Sequence, residues 1–321
     1  MRIEAKDARS WAKLAGCLTN QEKHAEAVEL HRKSLKMDPT FWMTWSGLAR
    51  SLAFLGKFAE AEDALRKACH MQPRSPPLWA ALGRARLRQG KFSEAEQSYQ
   101  KAAELDPDNA LVWFDLGESR MQLERYLEAS EAFYMAAKLD PSNSEPWWRI
   151  VLCGRALAQQ DDYSMAEQCS QMACDLRPRN PVSLWQLGLF LIGQERCQEA
   201  EEKLRMACEL EPQEALFQQW LGFSLHLQDK CVEAEETLRK AIELNSDDST
   251  SWYILGAALQ SQGKTDEATD IYGEAIARFP NDDALREGYW KALRLREARW
   301  ILSKIPGGEE AWERWRSSDL E

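Results

Sequence analysis

Apolar residues along this chain fall three or four places apart in short runs, and each run ends in a turn. Over residues 76–109, Trp79, Leu82 and Gly83 mark one face and Ala95, Tyr99 and Ala102 mark another. That spacing is the signature of one side of an α-helix. Gly90-Lys91-Phe92 lies between the two runs and reads as a turn, and Pro107 closes the segment. Proline lacks the N–H needed inside a helix, so it separates one helix pair from the next. The pattern predicts a first helix (helix A), a tight turn and a second helix (helix B). Small residues at Gly83, Ala95 and Ala102 allow the two to pack closely.

The same pattern recurs. Tryptophan returns every 34 residues, at Trp11, Trp45, Trp79, Trp113 and Trp147, and again in phase at Trp252 after a three-residue slip. A proline comb accompanies it at Pro39, Pro73, Pro107, Pro141, Pro178, Pro212 and Pro280. A fixed period of this length means one supersecondary unit copied along the chain, each copy burying its apolar face against its neighbours. Eight repeats are predicted: 8–41, 42–75, 76–109, 110–143, 144–180, 181–214, 215–248 and 249–282. The fifth carries three extra residues around Ala158–Tyr163, where a seam between subdomains is expected. Residues 283–321 form a C-terminal capping helix and tail. Ala284–Ile305 reads as one amphipathic helix, Pro306-Gly307-Gly308 breaks it, and Glu309–Arg316 is a short helical segment.

The order W-x2-L-G, then A-x3-F/Y/L-x2-A, then P resembles the tetratricopeptide repeat, and the length agrees. The resemblance implies an all-α, right-handed superhelical solenoid that binds other proteins in a concave groove lined by the A helices. Several positions depart from the family pattern. The family Tyr that follows the Gly by three residues is mostly Leu here, and is Arg86 and Arg120 in two repeats. Those two arginines need carboxylate partners or partly exposed heads. The sixth repeat moves its Trp one place, to Trp185. The seventh moves it two places, to Trp220, and has Ser246 where the closing proline stands elsewhere. In-phase tryptophans are expected to be core; the displaced ones are where function is sought.

By the resemblance, the groove takes the second, fifth, ninth, twelfth and thirteenth positions of each repeat. The fifth and ninth positions split the groove in two. Its N-terminal half is small and basic, with Arg50, Arg84 and Arg88; its C-terminal half is aromatic, with Phe114, Trp148, Trp185, Phe223 and Tyr253. An exposed apolar stripe commonly marks an interaction site. A partner peptide or helical segment is expected there, its acidic groups read by the arginines. A second copy of the chain could satisfy the same stripe. Trp312 and Trp315 share one face of the tail segment; they either pack back on the cap or form a docking tail for a partner. Some relatives in the family grip a chaperone's terminal carboxylate with Lys, Asn and Arg. Here those positions hold Ala12, Gly16, Gly47, Pro77 and Ala81, so that clamp is absent.

Charge sharpens this reading. Residues 1–109 hold 18 Lys+Arg against 14 Asp+Glu, and the remainder 23 against 38. An acidic body disfavours nucleic acid, whose binding runs on phosphate neutralisation. No apolar signal segment opens the chain, and no apolar run spans a membrane. The eight cysteines are scattered, and those sharing a repeat position should lie about 10 Å apart, too far for a disulfide. They read as free thiols in the cytoplasm. The four histidines are far apart, and no metal-binding, phosphate-binding or catalytic motif occurs, so neither cofactor, metal nor catalytic residue is expected. The function expected is a non-enzymatic scaffold or adaptor. The alternatives are a dedicated regulatory or inhibitory subunit of an enzyme and, third, a helical-repeat RNA binder.

Overall fold

The computed structural model describes residues 7–302, which are helical apart from turns and loops. Helices are numbered in chain order. Repeat one pairs α1 (Ala8–Asn20) with α2 (His24–Met37), repeat two α3 (Trp42–Phe54) with α4 (Phe58–Met71), and repeat three α5 (Pro76–Leu87) with α6 (Phe92–Leu105). Repeat four pairs α7 (Ala110–Gln122) with α8 (Tyr126–Leu139), and repeat five α9 (Glu145–Ala158) with α10 (Tyr163–Leu176). These belong to a first compact body, Met1–Leu176. The second, Arg177–Glu321, holds α11 (Pro181–Gly193) with α12 (Cys197–Leu210), α13 (Ala215–Leu227) with α14 (Cys231–Leu244), α15 (Ser249–Ser261) with α16 (Thr265–Arg278), and α17 (Asp283–Leu302). The boundary falls just after helix B of the fifth repeat, the one with the insertion. The three extra residues are spread out: the loop before α9, α9 itself and the turn after it are each one residue longer than their counterparts in repeat four.

Each A helix of repeats one to eight stops in the same way. A residue in the left-handed region follows it: Glu22, Gly56, Gly90, Glu124, Asp161, Glu195, Asp229 and Gly263, with φ between 58° and 76°. The next N–H then bonds back five residues, as from Lys23 to the Leu18 carbonyl at 2.9 Å and from Lys264 to the Leu259 carbonyl at 2.9 Å. This closure satisfies carbonyls that the helix end leaves open. Glycine reaches the left-handed conformation freely, whereas Glu and Asp pay about 1–2 kcal/mol for it.

Helix A then packs on helix B through a small-to-large contact. In repeat three, a Cβ on Gly83 would stand 2.9 Å from the Tyr99 ring, and in repeat eight one on Gly256 would stand 2.4 Å from Tyr272. The rings fill the space that the missing Cβ leaves. Tyr99, Phe133, Leu82 and Leu116 are fully buried in the first body, and Phe190, Leu204, Leu238 and Tyr272 in the second.

The two combs are hydrogen-bonded to each other. The indole N–H of Trp45 donates to the Pro39 carbonyl (2.8 Å), Trp79 to Pro73 (2.9 Å) and Trp113 to Pro107 (2.8 Å). Trp252 donates to Ser246 (3.1 Å), which stands in the proline's place. The comb is therefore not uniformly core, as its phase suggests. Trp147 and Trp252 are buried, whereas Trp11 is half-buried and Trp45, Trp79 and Trp113 are half-buried clips across the junction of repeats.

A polar seam joins helix B of one repeat to the next repeat. Glu62 accepts from Arg86 (3.0 Å), Gln89 (3.0 Å) and Lys91 (2.7 Å). One repeat later, Glu96 takes Arg120 (3.0 Å) and Arg125 (2.7 Å). These are the carboxylates that Arg86 and Arg120 required. The second body repeats the device with Glu201, which accepts from Gln228 and Lys230, and Glu235, which accepts from Gln262 and Lys264. In repeat four the equivalent position is Ser130, and the Cys169 thiol donates to its hydroxyl at 3.3 Å. There α10 packs on α8 as well as on α9.

The C-terminal helix carries the repeat phase onward. Counting 34 residues from Trp252 reaches Arg286, and Arg286 donates to the Pro280 carbonyl through Nε (3.2 Å) and Nη2 (2.7 Å). A Cβ on Gly288 would stand 2.7 Å from Tyr272, just as one on Gly47 would stand 2.5 Å from His31. So α17 keeps the repeat phase and occupies the place of helix A in a ninth repeat. Its residues beyond Leu302, and Trp312 and Trp315 with them, lie outside the described residues.

Candidate interaction faces on the A helices

The A helices of the first body carry the predicted basic residues. Arg50, Arg84 and Arg88 are all exposed. Helices α1, α3 and α5 contain no acidic residue, and their acidic counterparts lie on α2, α4 and α6. Arg50 reaches Asn20 at 3.4 Å. Arg84 pairs with Asp115 on α7 at 3.3 Å while its own side chain stays largely open to solvent. Burial raises the Asp115 carboxyl above its usual range, against the pull of Arg84. Glu118 is likewise raised by burial, and Arg149 lies 3.3 Å from it.

Aromatic and aliphatic side chains complete that face. Trp148 is 43% exposed, although its ring lies 5.9 Å from that of Trp147. Phe114 is only half-buried groove, because its ring leans on Phe133 at 5.4 Å. Three side chains outside the predicted set are more open still: Met43, Phe54 (stacked on His24 at 4.4 Å) and Leu111, which is 70% exposed. Met43 and Leu111 are second positions of their repeats, and Phe54 is a thirteenth. Reading only the fifth and ninth positions misses them; reading all five groove positions finds them.

The second body shows a different chemistry on the same helices. α11, α13 and α15 hold no Asp, Glu, Lys or Arg. Their one titratable imidazole, His226, is pushed down by burial and so is neutral. Tyr253 is 40% exposed, and Leu216 and Leu227, a second and a thirteenth position, are exposed beside it. Trp185 and Phe223 are half-buried instead of open. Trp185 packs on Phe217 of α13 at 6.1 Å, and Phe223 meets Trp220 edge-on at 5.8 Å. Neighbouring aromatic rings along one helix row shield each other, which position counting cannot register. Gln219 is buried and donates to Asp248 at 2.5 Å, holding the loop before α15.

Among the described residues no group of His, Cys, Asp and Glu is placed to hold a metal ion, and no helix is long and apolar enough to cross a membrane. The eight cysteines are free. Burial pushes the Cys69, Cys169 and Cys208 thiols up to about 11, so they are packing residues and not poised nucleophiles.

Sequence comparison agrees with this geometry. One tetratricopeptide repeat model matches residues 18–77, 46–110 and 80–144, and a second matches 237–270. The chain is a tetratricopeptide repeat protein. Proteins of this family generally act as interaction scaffolds. No curated protein matches it at a significant level. Among solved structures, this tetratricopeptide repeat protein is similar to a chain in the structure of Naa15/Naa10 bound to HypK-THB. The TM-score is 0.62 at 17% identity, over 98% of this chain and 50% of that one. It also matches a chain of the APC/C hetero-tetramer Cut9-Hcn1, with TM-score 0.45 and 19% identity, over 91% of this chain and 57% of that one. A third match is YrrB, a TPR protein with an unusual peptide-binding site, with TM-score 0.41 and 22% identity, over 59% of this chain and 96% of that one. The chain spans about half the length of the first two relatives. The likeness to the Naa15/Naa10 structure supports the all-α repeat solenoid and nothing finer.

Proposed function

We propose that this protein is a non-enzymatic scaffold that holds a segment of a partner protein against its A-helix faces, in the cytoplasm. The observation that supports it most is the set of large apolar side chains left open on those faces: Met43, Phe54, Leu111 and Trp148 in the first body, Leu216, Leu227 and Tyr253 in the second. A soluble chain gains nothing by exposing such residues together unless a partner covers them. The two faces differ in what they suit. Helices α1, α3 and α5 carry no acidic residue of their own and present the exposed Arg50 and Arg84, which favour acidic groups. Helices α11, α13 and α15 are uncharged, so an apolar segment can dry them without burying an unpaired charge. Free thiols fit a reducing compartment.

The test is a paired substitution measured against a partner purified with the protein from its native cell. Trp148→Ala with Leu111→Ala should weaken that partner at least tenfold, since each anchor is worth about 1.5–3 kcal/mol when fully covered. Met135→Ala with Val232→Ala, exposed side chains on B helices, should leave affinity unchanged. Equal affinity for the A-face variant and the wild type overturns the reading.

A further inference from the structure

Helices α3 and α5 carry cations of a different kind from those on the B helices of the first body. There, carboxylates hold the basic side chains: Arg32 meets Glu60, Lys91 meets Glu62 and Arg125 meets Glu96, each at 2.7 Å. α3 and α5 contain no Asp or Glu. Among the described residues, neither Arg50 nor Arg88 has a carboxylate within ion-pair distance; Arg50 reaches only the Asn20 amide oxygen, at 3.4 Å. Arg84 pairs with Asp115, yet 62% of its side chain stays exposed. The two helices share one core through Leu48, Leu52, Leu78 and Leu82, and their outer rows match in register. One row of α3 carries Met43, Gly47, Arg50 and Phe54; the matching row of α5 carries Pro77, Ala81, Arg84 and Arg88. Spacings of three and four put each row on one helical face. Small residues (Gly47 and Ala81) keep both rows low beside the arginines, and α3 ends in the exposed Met43 and Phe54.

We propose that this α3–α5 strip selects an extended partner segment in which two carboxylate side chains recur at every third residue with bulky apolar side chains between them. The inference rests on the reading of the A-helix faces as the docking side, and it names what the first body takes. Equivalent positions on neighbouring packed helices lie about 10 Å apart, which sets the interval from Arg50 to Arg84. An extended chain of the polyproline kind turns once in three residues and rises about 3.1 Å per residue, so side chains at every third place point the same way, roughly 9 Å apart. Two carboxylates at that interval meet Arg50 and Arg84 together, and Arg88, one helical turn beyond Arg84, can share the second. Guanidinium groups bind carboxylates with short, charge-assisted hydrogen bonds. The apolar side chains between the two acids settle over the low rows toward Met43 and Phe54. A basic segment finds no carboxylate on either helix to receive it.

Fluorescence anisotropy on the full chain tests it with two labelled peptides of equal length, one repeating Glu-Leu-Leu and the other Lys-Leu-Leu. The Glu peptide should bind at least tenfold more tightly than the Lys peptide, and its affinity should fall as salt is raised. Arg50→Glu with Arg88→Glu leaves the Arg84–Asp115 pair in place and should reverse the preference without moving the melting temperature. Arg66→Glu with Arg74→Glu, exposed cations elsewhere in the same body, makes the same change in net charge and should keep the wild-type preference. Equal binding of the two peptides, no saturable binding of the Glu peptide, or an equal loss in both variants overturns the proposal. The partner purified from the native cell separates this proposal from the reading beneath it. If Trp148→Ala with Leu111→Ala weakens that partner and Arg50→Glu with Arg88→Glu does not, docking on the A faces stands and selection of acidic segments falls. If neither weakens it, both fall.

Discussion

Neutralising Glu62 measures how much one polar seam contributes to the array. Its carboxylate is nearly buried, with 7% of the side chain exposed, and it faces Arg86, Lys91 and Gln89 of the next repeat. Burial alone would raise its pKa; the bonds from Lys91, Arg86 and Gln89 outweigh burial and bring it down from 4.5 to about 2. At 1.36 kcal/mol per pH unit that difference is worth about 3 kcal/mol. Lys91 is 41% exposed, so solvent screening trims the value to about 2–3 kcal/mol. Glu62→Gln keeps the shape and removes the charge, leaving Arg86 with Ser98 at 2.8 Å and the weaker Glu94 pair at 3.6 Å. A carboxylate whose folded pKa is depressed stabilises the fold above its unfolded pKa and stops doing so as pH falls through the folded one. The gap between wild type and variant should therefore be about 2–3 kcal/mol at pH ~7, less than half that at pH ~3, and vanish near pH ~2. Urea unfolding followed by circular dichroism gives the totals. Hydrogen exchange of α4, α5 and α6 localises the loss, which matters because repeat arrays open piecewise. A gap below about 0.5 kcal/mol at neutral pH, or one that does not shrink on acidification, would refute the seam as the source of the stability.

Further outcomes follow from single positions. His31 is buried between repeats, and burial, with help from Arg50, lowers its pKa to about 4. The unfolded chain takes up its proton from about pH 6.5 downward while the fold refuses it. Wild type should then lose up to about 3 kcal/mol between pH ~6.5 and ~4 that a His31→Leu variant does not lose; parallel pH profiles would remove this account. Gly256→Ala should destabilise by about 1–3 kcal/mol, since its Cβ would sit 2.4 Å from Tyr272, and an unchanged melting temperature would show that the ring can yield. Glu124 holds φ at 59° on the surface, so Glu124→Gly should gain about 0.5–1 kcal/mol of stability, and a loss would mean that its side chain contributes more than its backbone strain costs.

Much of the fold can be read from period alone, because each repeat must bury the same face against its neighbours. The eight helix pairs, the need of Arg86 and Arg120 for carboxylates, and the place of the insertion all follow from departures within a strict register. Three things do not. The tryptophan comb looks like core, yet Trp45, Trp79, Trp113 and Trp252 share a hydrogen bond to a main-chain carbonyl six residues back, and a bond to a main-chain carbonyl leaves no side-chain signature. The phase of α17 is hidden because Arg286 stands where a tryptophan is sought. The exposure of the candidate faces is partly legible: Trp148 and Tyr253 are open, but Trp185 and Phe223 are shielded by Phe217 and Trp220, and the more exposed Leu111 and Phe54 sit at positions whose residue types draw less notice.

The clip between repeats has a bearing on how such chains diverge. Its acceptor is a peptide carbonyl, which every residue supplies, so Ser246 can replace proline without loss. Its donor need only be a long side chain with an N–H at its tip, and Arg286 serves. Neither partner is held to one amino-acid type by the bond itself. A lineage can therefore erase the letters of the repeat while its spacing persists in three dimensions. Residues 145–236 also hold helix pairs like the rest, although the matched stretches of the family pattern stop at 144 and resume at 237.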